Sequence, residues 1–585
     1  MNDKVKIAVV DNDIDKAAFP DITFQDIMFG IADQSQYHAT FVVGIIIDQL
    51  KKHNTNVEYT NSGAYIMDLF QGYETQSKKA ITYLNNLSEN LLDHNFINCS
   101  FAVPSFAKEA SSLNITKWKN NYLQDNDIGL VVTGAGNNEM PFPGATFLPQ
   151  NILYSLNIGA FYKKNHRFQN THIVHSDIFE TSKPSASVMF AENGLQESYN
   201  TLSEKDHVLA FYYAKQFKFG GFFQKDNFSE FPEGTAKFYK RVKKYVMGGT
   251  SFAAPATVGL FAKAILDNPE KKLSKHDLIN IALHASYQPY AKRLSDGWED
   301  KKFSSHVRTY KQNMSNEKNG QGYGHALEFG FGAVHHKHFQ NLVKSWVKTT
   351  NDIREIKPTY VSKATNDQGH YVYTFRVDDD FRVQQIQVNY KGIDTSNWGL
   401  WTKNKYVLSD LQMLKVVSPS GSESFIYDKK LSPSSCKNFA AKNIDEELKG
   451  VVSKIFSQEL YGVNKSVQLW GEKKTKGQWK IVSNCELDVQ KTQLTIIADY
   501  SKDNHYSYDD NILNVKEPVA LTDLNGGHDT VYFTNYTNGK VHVKKSAGEI
   551  DFMSRYGSKV KTVKIAKGTT IENYVFGPMG GRIFE

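Results

Sequence analysis

The chain has 585 residues, of which 40% are apolar and 22% charged, a globular composition that excludes global disorder and is long enough for two to four hydrophobic cores. Its net charge of +7 comes from 69 basic and 62 acidic residues spread along the whole chain, too dilute to argue for a nucleic-acid partner. No apolar run approaches the ~18 residues of a membrane span, so no transmembrane segment is expected.

In chain order, the first element is VKIAVVD, a continuous apolar run from Val5 to Val10 that reads as a buried strand of a parallel sheet and ends at Asp11. Open α/β sheets carry their functional groups at such carboxyl ends. His38 comes next, at the start of the apolar helical stretch HATFVVGIIIDQL, facing back toward the sheet. FINCS and IGLVVTGAGNN repeat the pattern of buried strand and abrupt stop. In the second, Gly134, Ala135 and Gly136 let another backbone approach, and Asn137 could donate a hydrogen bond to a developing negative charge. SLNIGAF supplies a further strand. Strands alternating with helical stretches such as SKKAITYLNNLSENLLDHN give an α/β class with a mostly parallel sheet.

YVMGGTSFAAPA follows, with Ser251 opening an apolar helix after two glycines. A helix N-terminus offers free N–H groups and a partial positive charge, and bare glycine backbone before it leaves room for a substrate carbonyl. Taken singly, each residue has a plain structural reading: Asp11 a capping carboxylate, His38 a core histidine, Ser251 an N-cap, the glycines a tight turn.

AVVDNDID, HATFVVGI, GAGNN and GGTSFAAPA, in this order, resemble the four signature segments of the subtilisin-like serine proteases. The resemblance implies a triad of Asp11, His38 and Ser251, an oxyanion hole completed by Asn137, and a protein or peptide substrate paired to the backbone of Ser100, Phe101 and Ala102, opposite Gly134, Ala135 and Gly136. It implies no catalytic cofactor, and structural calcium without naming ligands. A serine endopeptidase is the first reading. The second is an inactive relative that binds peptides or a partner without cutting.

HALEFGFGAVHHKHFQNLVKSW resembles the closing segment of the kexin and furin branch, which sets a peptidase domain at 1–350. Alternation in FRVQQIQVNY then announces strands, and DLQMLKVVSPSG and LWGEKKTKGQWKIVSN resemble that branch's P domain, a jelly-roll β-sandwich placed at 355–495. SPSG is hairpin chemistry whatever the family. A small β-rich region of unknown role fills 500–585, where NGG in LTDLNGGHDT reads as a hairpin turned at Asn525 and Gly526 rather than as a calcium repeat.

Three departures from the family pattern stand out. Ala39 and Phe41 replace a glycine and a second histidine, and Phe41 is expected in the core. Glu139 is the only acid near the proposed pocket, so a preference for paired basic residues is not carried over, and an apolar or aromatic one is at least as well founded. The stretch from about 163 to 244 reads as an insertion. Of the three cysteines, Cys99, Cys436 and Cys485, the last two fall in one segment, where a disulfide and a reduced pair both stand open. MNDKVKIAVVDND lacks the order of a secretory signal. Either a leader has been removed or none is used; the resemblance favours a secreted or cell-envelope protein, with a cytoplasmic one open.

Overall fold

A computed structural model describes residues 4–27, 37–63, 82–101, 103–104, 116–124, 129–136, 147–163, 179–181, 188–197, 246–287, 332–390, 413–428, 451–455, 475–514, 519–521 and 526–585, apart from isolated positions within them. The first unit is built on strands β1 (Val5–Asp11), β2 (Phe24–Asp26), β3 (Val57–Gly63), β4 (Phe96–Cys99), β5 (Val103–Pro104), β6 (Leu130–Gly134), β7 (Phe147–Leu148), β8 (Ser155–Lys163), β9 (Phe179–Thr181), β10 (Phe190–Asn193), β11 (Leu195–Glu197), β12 (Val246–Gly248), β13 (Ser286–Tyr287) and β14 (Ala333–Val334). Among the described residues, ten of these form one sheet in the order β13-β14-β10-β8-β6-β4-β1-β3-β2, with β9 on β8. From β2 to β14 every neighbouring pair is parallel, and only β9 and β13 run antiparallel.

Parallel strands carry helices on their faces, so their side chains are buried on both sides. Ile7, Ala8, Val9 and Val10 of β1, and Leu130, Val131 and Val132 of β6, are all buried. The helices of this first unit include α1 (Tyr37–Gln49), α2 (Thr116–Leu123), α3 (Thr250–Asp267), α4 (Lys275–Ala285) and α5 (His336–Ser345). α3 packs on α1 and lies across β4, β6, β8 and β10, which explains why it is apolar almost all round. Its Phe261 stacks on Phe339 of α5, with ring centroids 5.9 Å apart. Phe41 is in the core, as its apolar neighbours in α1 require.

β10 corrects one expectation. The stretch 163–244 is not simply inserted, because Phe190–Asn193 is an integral strand between β8 and β14. Only four residues long, it gives too little periodicity to be read from sequence.

After α5, the described residues up to Asp499 form two antiparallel sheets. One sheet has the order Ile353–Ile356, Gln493–Asp499, Arg382–Tyr390, Val451–Ile455; the other has Thr359–Thr365, Tyr371–Val377, Gly477–Ser483, Met413–Val417, Glu423–Asp428. Side chains from both, including Tyr373, Phe375, Ile386, Val388, Trp479, Ile481 and Ile496, form one core. The expected hairpin at SPSG is present: Met413–Val417 pairs with Glu423–Asp428, and the Gly421 N–H donates to the Ser418 carbonyl at 3.0 Å.

The final stretch holds a parallel three-stranded sheet (His505–Asp509, Thr530–Asn535, Asn573–Val575) and a mixed five-stranded one that includes Val519–Leu521. The hairpin expected at Asn525 and Gly526 does not form, since the strands on either side, Val519–Leu521 and Thr530–Asn535, belong to different sheets. Asn525 itself lies outside the described residues. Gly527 is needed there for close approach: at φ +118° an added Cβ would sit 2.6 Å from the Lys502 backbone. Cys436 and Cys485 also lie outside the described residues, and Cys99 is a buried free thiol.

Both β regions dock on the first unit through polar contacts. Lys119 pairs with Glu355 at 2.8 Å, and Tyr154 donates to the other carboxylate oxygen. Burial alone would raise the Glu355 pKa, yet these partners hold it below the ordinary carboxylate value. Gln385 donates to the Tyr122 hydroxyl at 2.7 Å. Trp346, just past α5, donates its indole N–H to Asp277 at 3.0 Å and stacks on His505 and Tyr532.

Candidate active site

Asp11 ends β1 and is buried, while His38 is the second residue of α1. The imidazole Nδ1 lies 2.9 Å from one Asp11 carboxylate oxygen and 2.8 Å from the other, so Nδ1 carries the proton and donates it to the carboxylate. Burial pushes the His38 pKa down, but the charge and hydrogen bond of Asp11 outweigh it, and the net shift is upward. The Cys99 thiol, at the end of β4 beside Val10, is buried, and its pKa rises well above the ordinary value, first through burial and then through the Asp11 charge. It stays protonated and is a poor nucleophile.

Ser251 is the second residue of α3, and the ring of the next residue, Phe252, lies 5.7 Å from the His38 ring. The start of α3 thus lies against the His38 ring through Phe252. Among the described residues, the Ser251 hydroxyl donates to the Ser100 carbonyl at 3.2 Å rather than to His38. α3 has Pro255 four residues after Ser251, where a normal residue would donate its N–H to the Ser251 carbonyl. That carbonyl instead accepts from the Ser100 hydroxyl at 2.8 Å, and Asn98 in turn donates to Ser100 Oγ at 2.9 Å. Sequence reading places Ser100 against a substrate; the structure gives its hydroxyl the task of anchoring the turn that carries Ser251.

The opposite wall is tied to the same turn. The Gly136 N–H donates to Thr250 Oγ1 at 3.0 Å, and a Cβ on Gly134 would come within 2.9 Å of the Thr250 backbone. Only glycine lets β6 end this close to the residue before Ser251. Ala135 is buried, and its N–H is held by the Ile158 carbonyl at 3.0 Å. Phe101 is buried. Asn137 and Ala102 lie outside the described residues, as does Glu139. The structure therefore joins Asp11 to His38, Ser251 to Ser100, and Gly134 and Gly136 to Thr250, with the Phe252 ring linking the start of α3 to His38. Sequence reading missed Asn98 and Thr250 as supports. The proline at 255 was the available signal, because it predicts an orphan carbonyl at 251.

Ser100→Ala is expected to lower stability by about 0.5 to 1.5 kcal/mol, because it removes the hydrogen bond that the half-buried Ser251 carbonyl accepts. Thermal melting would measure this, and an unchanged melting temperature would show that the carbonyl finds another donor.

No protein-family profile matches the chain, and no curated protein sequence does. Among solved structures the backbone is similar to the serine protease of Aeromonas sobria. In complex with its chaperone that structure has a TM-score of 0.47 and 15% identity, over 85% of this chain and 88% of that one. Alone it has a TM-score of 0.46 and 15% identity, over 85% and 87%. The backbone is also similar to the epidermin leader peptide processing serine protease of Staphylococcus aureus, with a TM-score of 0.32 and 13% identity, over 60% of this chain and 77% of that one.

Proposed function

We propose that the chain is a serine endopeptidase of the subtilisin-like kind, acting on proteins or peptides. The observation that carries this is the Asp11–His38 pair, doubly hydrogen-bonded at a strand end and set beside the helix N-terminus that presents Ser251. Ser251 Oγ attacks the peptide carbonyl carbon, and its proton passes to His38 Nε2 as the new C–O bond forms. Asp11 fixes the imidazole tautomer and stabilises the charged ring. The tetrahedral oxyanion is met by the Ser251 N–H at the start of α3 and by the Asn137 amide. Collapse breaks the C–N bond, and His38 returns the proton to the leaving amine. Water then attacks the acyl carbon while giving a proton to His38; the C–O bond to Ser251 breaks, His38 returns that proton to Ser251 Oγ, and the carboxyl product leaves. To begin, the Ser251 hydroxyl must leave the Ser100 carbonyl for His38. Catalytic hydrogen bonds commonly tighten only when substrate is bound.

That same bond to Ser100 is what favours a second reading, an inactive relative that binds peptides without cutting. A fluorophosphonate probe separates the two. We expect covalent labelling of the parent and none of Ser251→Ala, and an unlabelled, folded parent would sink the protease reading.

Within this proposal, 1–350 is the peptidase domain, 355–495 a jelly-roll P domain of the kexin and furin branch, and 500–585 a β-rich accessory region. The pocket prefers apolar or aromatic side chains, and the protein acts at the cell envelope or outside the cell. The chemistry needs no cofactor. Among the described residues, no group of three or more His, Cys, Asp or Glu side chains is arranged to hold a metal. Structural calcium stays part of the proposal, and we expect a chelator to lower the melting temperature. An unchanged value would remove calcium from the proposal. Among the described residues, no helix is long and apolar enough to cross a membrane.

A further inference from the structure

A side chain outside the proposed mechanism joins the two strand ends that flank Ser251. Gln150, two residues past β7, is buried, and its Nε2 donates to the carbonyl oxygens of Phe101 at 2.7 Å and Gly134 at 2.8 Å. β4 and β6 are laddered only as far as Cys99 and Thr133, so both carbonyls lie just beyond the last paired residues. Past that point the amide is a cross-link between the two edges. Each edge bears on the nucleophile: Phe101 follows Ser100, which is bonded twice to Ser251, and Gly134 packs on Thr250.

The chemistry is specific to a primary amide. Its two N–H groups serve one carbonyl each, which a hydroxyl with one hydrogen cannot do. With oxygen and nitrogen exchanged, the amide oxygen would face two carbonyl oxygens, so the network fixes its orientation. Among the described residues Gln150 Oε1 is buried with no partner, a cost tolerated at this position. The backbone of Gln150 is itself held, because its carbonyl accepts from Asn157 at 3.1 Å while Asn157 accepts from Thr133 of β6 at 2.9 Å.

We propose that Gln150 is a positioning residue of the peptide cleft: its amide fixes the separation of the 100–101 edge from the 134–136 edge and holds both against the Thr250–Ser251 turn. An extended substrate lies between these edges and senses their spacing along several residues. A small electrophile that reaches only Ser251 does not. The inference rests on the protease reading above.

The test uses the full chain and two variants. Gln150→Met keeps the length and removes both donors. Gln150→Glu keeps the shape, with one O–H donor when protonated and none when ionised. Two rates are measured between about pH 5 and about pH 8, where the carboxyl changes state: Ser251 labelling by a small fluorophosphonate, and hydrolysis of dye-labelled casein. Gln150→Met is expected to lower kcat/KM on casein by about 10 to 100-fold while slowing labelling by less than about threefold. Relative to the parent, Gln150→Glu should recover casein hydrolysis as pH falls, whereas the Gln150→Met ratio stays flat. Equal loss of both rates in Gln150→Met, parental casein hydrolysis, or a Gln150→Glu ratio as flat as that of Gln150→Met would overturn the clamp. If Gln150→Glu does not fold, the split between casein and probe in Gln150→Met decides. A parent that is not labelled at Ser251 fails differently, removing the protease reading and the clamp with it.

Discussion

Asp11→Asn is expected to lower turnover by about 10⁴-fold without unfolding the protein. The asparagine amide presents an N–H where the carboxylate accepted one, which favours the imidazole tautomer with its proton on Nε2, the wrong nitrogen for a general base. It also removes the charge that stabilises protonated His38. The pH profile gives a second readout with a definite sign. In the parent, kcat/KM requires neutral His38, whose pKa is raised above its ordinary value of 6.5. The acid limb of the parent should therefore fall above that value. In Asp11→Asn, only burial remains among the causes of the shift, so the limb should move below 6.5. The same linkage acts on stability in the opposite direction. Because folding raises the His38 pKa, the stabilisation from the pair is full below the unfolded pKa and is lost as pH rises through the folded one. Activity thus grows over the range in which this pair contributes less to stability. Steady-state kinetics across pH, beside thermal melting of both proteins, would check both halves. Unchanged turnover would remove Asp11 from the mechanism.

Much of this site could be read before any coordinates, for a physical reason. A strand of a covered parallel sheet has to be a buried apolar run that stops abruptly, so β1 and β6 announce themselves, and Asp11 and Gly134 are found by where the runs stop. The start of α3 was legible because a helix entered through bare glycines has few other uses. The supports were not legible, because they depend on which residues distant in sequence become neighbours. Ser100 meets Ser251 across 151 positions, and nothing local to NCSFA says that its hydroxyl will replace the donor missing at Pro255. Gln150 is less legible still: its neighbours form no periodic pattern, and its role exists only once β4 and β6 end side by side. Short strands failed for a related reason. Phe190–Asn193 and Val519–Leu521 are too brief to show alternation, and their pairing is decided by the sheets that receive them. The antiparallel region was easier, since Arg382–Tyr390 alternates and SPSG sits between two apolar runs.

Trp346→Ala should cost about 3 to 5 kcal/mol. Trp346 is buried where the peptide chain leaves the α/β unit, and it touches three elements at once. Its indole N–H donates to Asp277, the same carboxylate that caps α4 by accepting from the Ser274 backbone at 3.0 Å. Its ring stacks on Tyr532 at 5.2 Å, nearly parallel, and on His505 at 4.0 Å. The neighbouring Val347 N–H donates to the Tyr532 hydroxyl at 3.0 Å, and His284 of α4 meets Ser507 at 2.8 Å. Truncation removes the aromatic contacts, leaves a cavity between α4 and the last β region, and strips Asp277 of a buried donor, so several costs add at one place. The transition need not stay single, because the residues lost join the core of the first unit to strands His505–Asp509 and Thr530–Asn535. The expected result is an earlier melting step together with faster tryptic cutting after Lys348, while the probe still labels Ser251 in protein that remains folded. Trp346→Phe keeps the stack and loses only the indole donor, so it should recover more than half of the loss. A variant that melts with the parent would show that the C-terminal sheets are held by contacts other than this ring.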